Sequence, residues 1–241
     1  MSQPGSAWEF TVADEAVQAA IDAGARYADA RVMHRRAESM GARNGDVDSV
    51  DQSADSGLGV RALVGAGWGF FAVADLDTRS AGDAGRRAAE IAAASATVNR
   101  AKPAAPGLGL VGSDPAVGSW RSECTIDPFG VSLSVKGDLL VEATQLMREH
   151  GADLAEAMYQ AWSTDKWFVS SEGHRVDQRI IECGAGMMAT SIGDGETQRR
   201  SYPANRGQYR TRGWEFVDEL DLLAHAPRVG SESRALLSAP L

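Results

Sequence analysis

The sequence echoes itself once. Gly24-Ala25, after a helical stretch and ahead of Asp29, returns as Gly151-Ala152 ahead of Asp153, with the glycines 127 residues apart. Val50-Asp51-Gln52 returns as Val176-Asp177-Gln178 at an offset of 126, and Gly57-Leu58-Gly59 as Gly184-Ala185-Gly186 at 127. Three matches in order at nearly constant spacing predict a duplicated unit. A length of 241 residues admits one large domain or two modest ones, and the duplication selects two.

Both copies follow one plan. A helix is predicted over Val12 to Ala25, where Val12, Ala16, Ala19, Ala20 and Ala23 recur at helical spacing. Its counterpart has Asp127-Pro128 as N-cap and first-turn proline, a stripe of Leu139, Leu140, Ala143, Leu146 and Met147, and Gly151 as its stop. Strands follow. Asn44-Gly45 signals a two-residue hairpin, with Glu172-Gly173 in the equivalent place. Leu58, Val60, Ala62 and Val64 alternate, Gly65-Ala66-Gly67 turns the chain, and Trp68, Phe70, Ala72 and Ala74 are expected to complete one buried face. Gly193-Asp194-Gly195 marks the later turn. A closing helix over Ser80 to Val98 carries eight alanines between Ala81 and Ala96, which predicts close packing on a sheet. The second closing helix is expected over Trp214 to Ala226, stopped by Pro227. The fold class is α+β: two related units, each an antiparallel meander of about four strands packed with flanking helices. The units are residues 1–100 and 120–241, joined by a Pro/Gly/Ala-rich linker over 101–119.

Composition narrows the function. A net charge of −9 disfavours a chain-wide nucleic-acid or anionic-membrane surface. Cys124 and Cys183 are too few for a disulfide framework, the N-terminus lacks signal-peptide features, and no window reaches the ~18 apolar residues of a span. A cytoplasmic location is the expectation. His34, His150, His174 and His225 lie at no metal-binding spacing, and Asp46, Asp48, Asp51 and Asp55 depart from a calcium loop and read as a solvated strand edge. No phosphate loop, dinucleotide fingerprint or nucleophile elbow is present, so no catalytic and no metal-binding residue is assigned.

One basic concentration stands out against the acidic total. Arg199, Arg200, Arg206, Arg210 and Arg212 interleave with Tyr202 and Tyr209 without an acid among them. Arginine beside tyrosine suits the carboxylates and backbone of a peptide, or single-stranded nucleic acid, and a solvated basic loop is the plain alternative. The candidate substrate-binding residues are Arg199, Arg200, Tyr202, Arg206, Tyr209 and Arg210.

Three segments resemble the TldD/PmbA family, the modulators of DNA gyrase regarded as metallopeptidases: Tyr27-Ala28-Asp29-Ala30; Gly57-Leu58-Gly59-Val60-Arg61 with Gly69-Phe70; and Arg200-Ser201-Tyr202-Pro203 through Gly213-Trp214-Glu215. The resemblance covers the N-terminal and middle regions of such proteins. It implies the N-terminal portion of a metallopeptidase acting on small or unfolded peptides, forming substrate-cavity wall and subunit interface. It also implies a homo- or heterodimer with a TldD/PmbA-type subunit. The family's zinc is carried by an HExxxH helix and a later cysteine, in a C-terminal region beyond the segment that reads Ser233 to Leu241 here. No position of this chain matches that motif, so the resemblance carries over no catalytic residue and the chain is expected to be inactive alone. The alternatives are a metal-free partner subunit and, less compatible with the charge, a nucleic-acid or gyrase-associated modulator.

Overall fold

The computed structural model describes residues 6–99, 114–193 and 195–239. The fold is α+β. Helix α1 (Ser6–Asp22), strands β1 (Tyr27–Arg43), β2 (Asp46–Val64) and β3 (Gly67–Val73) and helix α2 (Thr78–Asn99) come first. After β4 (Val117–Arg121) the plan recurs as α3 (Leu133–Glu149), β5 (Leu154–Ser170), β6 (Arg175–Gly193), β7 (Glu196–Tyr202), the short β8 (Gln208–Arg210), α4 (Glu215–Glu219) and α5 (Leu222–Ala235). The sheet order is β3-β2-β1-β5-β6-β4, with β7 and β8 also pairing with β6.

The repeat is visible in the element boundaries. α3 and β5 begin and end 127 residues after α1 and β1, whereas β6 and β7 begin and end 129 residues after β2 and β3. The two extra residues enter at the β5–β6 turn, which spans 171–174 where the β1–β2 turn is Asn44-Gly45 alone. Asn44 and Gly45 have φ of 53° and 95°, the paired positive values that such a turn requires. Since β2 and β6 correspond at 129, the Val-Asp-Gln and Gly-X-Gly echoes, at 126 and 127, do not fall on equivalent positions. The Gly-Ala echo does.

The compact units are interleaved in sequence. One comprises Met1–Arg35, Asp55–Arg121 and Thr164–Arg179; the other comprises Arg36–Ala54, Ser122–Ser163 and Ile180–Leu241. Strand length accounts for this. The 17 residues of β1 extend about 56 Å, well beyond the ~13 Å radius of gyration of a 100-residue domain, so the two ends of one strand serve different cores.

In the first unit α1 and α2 cover one sheet face. Val12, Ala16 and Ala20 of α1, Ala28, Ala30 and Val32 of β1, Leu58, Val60 and Ala62 of β2, and Ala81, Ala84, Ala88 and Ala92 of α2 form the core. The alanine-rich α2 lies so close to β3 that a Cβ at Gly67 or Gly69 would strike the backbone of Ala92 or Ala88. The glycine side of β3 is therefore the buried one. Trp68 and Phe70, expected inside, face outward and are 39% and 60% exposed. The predicted linker also changes: its part up to Ser113 lies outside the described residues, but Val117–Arg121 is a strand, parallel to β6 with Val117 opposite Arg175.

In the second unit α3 and α5 cover the sheet over Met40, Leu140, Met147, Ala155, Tyr159, Cys183, Met187, Trp214, Phe216, Val217 and Val229. Two helix boundaries differ from expectation. Asp127 caps only a 3-10 turn, accepting a hydrogen bond from the Phe129 amide, and Ser132 is the N-cap of α3, accepting from Val135. Pro227 does not stop the last helix. The break falls at Asp221, whose φ is 46°, and α5 starts afresh at Leu222, which leaves Pro227 in its second turn.

Candidate functional site

The uncovered face of the second unit's sheet is set by strand alternation. Ala155, Ala157, Tyr159 and Ala161 point into the helix-covered core, so Glu156, Met158 and Trp162 point the other way. On β6, Gly184 and Gly186 lie beneath the returning chain: a Cβ at Gly184 would strike the Gln208 carbonyl, and one at Gly186 would strike Gly207. β7 pairs with Met187 to Gly193 and β8 with Cys183 to Ala185, which brings the intervening loop over the open face. A cleft of about 510 Å³ results, lined by Arg43, Glu156, Met158, Met188, Arg199 and Arg206 among others.

The six predicted site residues divide between the two faces. Arg199 and Arg206 line the cleft. Tyr209 adjoins it, donating to Met158 Sδ at 3.7 Å and packing on Trp162 with ring centroids 5.7 Å apart; burial raises the pKa of its hydroxyl. Arg200, next in sequence to Arg199, turns to the helix side and pairs with Glu232 of α5 at 2.6 Å. Arg228 and Arg200 together hold the Glu232 carboxyl below its ordinary pKa. Tyr202 donates to the Leu220 carbonyl at 2.9 Å and stacks on His225, 4.0 Å between centroids. Arg210 lies over the Phe216 ring at 5.1 Å. The cleft thus takes Arg199, Arg206 and Tyr209, while Arg200, Tyr202 and Arg210 fasten β7, β8 and the C-terminal helices.

Charge within the cleft is unevenly satisfied. Arg43 meets Glu156 at 3.1 Å and Asp48 at 3.7 Å. Arg199 and Arg206 make no ion pair among the described residues. Sequence reasoning missed Arg43, Glu156, Met158 and Met188, although alanines alternating with larger residues from Ala155 to Trp162 are a legible sign of a sheet with a helix on its alanine side.

Charged clusters also lie outside the cleft. In the first unit Asp29 is fully buried and accepts from Arg31 at 2.5 Å and from Arg61 Nε and Nη2 at 3.0 and 2.7 Å. Burial, with Asp29 close by, pushes the Tyr27 hydroxyl up to about 12. In the second unit the buried Lys136 pairs with Glu38, which also accepts from Gln52 at 2.6 Å. Near them Cys183 donates to the Gly213 carbonyl at 3.0 Å, and burial pushes its thiol up to about 12. Asp46, Asp48, Asp51 and Asp55 are exposed along β2. Among the described residues no three His, Cys, Asp or Glu side chains come together as a metal site, and no helix is long and apolar enough to cross a membrane.

Residues 28–96 match the family model for PmbA/TldA metallopeptidase domain 1. No curated protein matches the sequence. Among solved structures, one described as a modulator of a DNA gyrase from Thermotoga maritima is 16% identical, with a TM-score of 0.66 over 94% of this chain and 48% of its own. TldE from Thermococcus kodakarensis is 13% identical, with a TM-score of 0.67 over 91% of this chain and 46% of its own. A modulator of DNA gyrase from Bacteroides thetaiotaomicron is 13% identical, with a TM-score of 0.62 over 91% and 49%. These likenesses establish the fold, and the chain spans about half the length of each. Residues 28–96 thus resemble the first domain of PmbA/TldA proteins in sequence, and the chain shares its fold over nearly its whole length with solved structures about twice as long.

Proposed function

We propose that this chain is the substrate-holding N-terminal portion of a TldD/PmbA-type metallopeptidase, and that the open face of its second unit binds extended peptides. The observation that carries the reading is the cleft itself. Two arginines without acidic partners among the described residues, Arg199 and Arg206, stand beside the thioethers of Met158 and Met188, and the Trp162–Tyr209 pair extends the surface along β5 and β8. Cations next to adaptable apolar side chains suit a chain of varied sequence, since thioethers repack around different residues. The matched domain is described as a metallopeptidase domain, which supports peptide as the ligand class.

Among the described residues no side chains come together as a zinc site, so hydrolysis is assigned to none of them. Pairing with a second TldD/PmbA-type subunit is part of the same proposal. Exposed Phe70, Trp68 and Met33 on the first unit's open sheet face support it.

Titrating the chain into a fluorescein-labelled unfolded peptide tests the reading. Saturable binding that weakens at least tenfold in an Arg199→Ala/Arg206→Ala variant, with an unchanged circular dichroism spectrum, is expected. Binding that ignores the double substitution, or a preference for single-stranded oligonucleotide with a steep loss in salt, contradicts it.

A further inference from the structure

We propose that the cleft reads the end of its peptide: Arg199 and Arg206 take the C-terminal carboxylate, and the last side chain lies against Met158 and Met188. The inference rests on the peptide reading above and adds which part of the peptide is recognised.

Three observations carry it. Arg43, the third arginine of the cleft, is occupied by Glu156 and Asp48, while neighbouring Arg200 and Arg212 are paired with Glu232 and Glu219. Among the described residues, Arg199 and Arg206 of this basic stretch face the cleft without a counter-charge. A mid-chain peptide carries no backbone charge. A terminal carboxylate carries one, delocalised over two oxygens that accept several charge-assisted hydrogen bonds from guanidinium forks.

The net charge of the lining selects the size of the anion. Three arginines face two carboxylates, Asp48 and Glu156, in one cleft. That balance suits a single carboxylate, whereas a polyphosphate backbone would meet the acids as well.

The backbone at Arg206 is the third. Its φ is 74°, a region that L side chains rarely adopt, and Gly207 follows at 88°, where an added Cβ would lie 2.5 Å from the Ala185 carbonyl oxygen. A glycine at 206 would hold this loop without strain. The position instead carries a guanidinium over the cleft, and strained backbone of this kind accompanies ligand-holding groups.

The test uses the full chain and three N-acetylated, fluorescein-labelled hexapeptides with leucine at the end: the free acid, the C-terminal amide, and the amide with an internal glutamate. The free acid is expected to bind about tenfold or more tightly than the amide. The Arg206→Gly variant, whose loop is relieved of strain, is expected to keep the wild-type melting temperature or exceed it while losing the acid-over-amide preference. Equal binding of acid and amide overturns the inference and leaves the peptide reading standing. Glutamate-containing amide binding as tightly as the acid overturns it in favour of side-chain recognition. Absence of binding by all three peptides overturns the peptide reading and the inference with it.

Discussion

Arg61 grips Asp29 side-on, with Nε 3.0 Å and Nη2 2.7 Å from Oδ2 and Nε 3.2 Å from Oδ1, and the carboxylate beneath is fully buried. Asp29 lies on β1 and Arg61 on β2, both within the span that matches the family's first domain. A buried carboxylate left with fewer partners is costly. Arg61→Ala is expected to destabilise the fold by about 2 kcal/mol, less than a fully buried pair because Arg61 is partly exposed and Arg31 remains. Arg61→Lys recovers only part, since an ammonium cannot reproduce the fork. Urea denaturation measures both, and an unchanged midpoint in Arg61→Ala refutes the role.

The approach of α2 to β3 gives a steric prediction. Gly67→Ala and Gly69→Ala each place a methyl group into α2 backbone, and overpacking of this kind costs about 1–3 kcal/mol or more. Gly118→Ala, where a Cβ meets nothing within 4 Å, serves as the control and should leave the melting temperature nearly unchanged. Equal effects at all three positions would contradict the close approach of α2 to β3.

A third prediction concerns the ion pair between Lys136 and Glu38. Lys136→Ala strands a buried carboxylate and is expected to destabilise by about 3–5 kcal/mol, whereas Lys136→Met with Glu38→Gln removes both charges and should recover much of that loss. A double variant as unstable as the single one contradicts the pairing.

Cys183 supplies the pH dependence. Burial raises its thiol from an ordinary 9.0 to about 12, so the folded chain holds the proton more tightly than the unfolded chain. Its stabilising share is present in full below pH 9 and is lost as pH rises from 9 towards 12, at up to roughly 1.4 kcal/mol per pH unit. Chemical-denaturation midpoints across that range should fall less steeply in Cys183→Ala. In the native state at pH 8 Cys183 is expected to resist iodoacetamide; rapid alkylation there would contradict its burial.

Much of the fold could be read from local pattern. Asn44-Gly45 marks its hairpin because only a few residues accept two positive φ values, and the alanines of α2 announce a close neighbour. The second face of β3 was not legible, because the signal there is inverted: Gly67 and Gly69 are buried by the helix that excludes side chains, and the large Trp68 and Phe70 point out. Pro227 misled for a related reason, since the restart at Asp221 depends on a left-handed residue that no periodicity reveals. At the candidate site the Arg/Tyr run includes Arg199 and Arg206, which line the cleft. Sequence could not separate Arg199 from Arg200, because strand alternation sends them to opposite faces and only the tertiary position of Glu232 shows which face is already occupied. The long-range partners Arg43 and Glu156 were invisible for the same reason.

The most direct test of the central claim is amide hydrogen exchange of the chain with and without a saturating unfolded peptide. Protection confined to the 156–162, 186–188 and 199–209 segments, and lost in the Arg199→Ala/Arg206→Ala variant, is the predicted result. Protection elsewhere, or none at a peptide concentration that saturates binding, would contradict a peptide-holding role for this cleft.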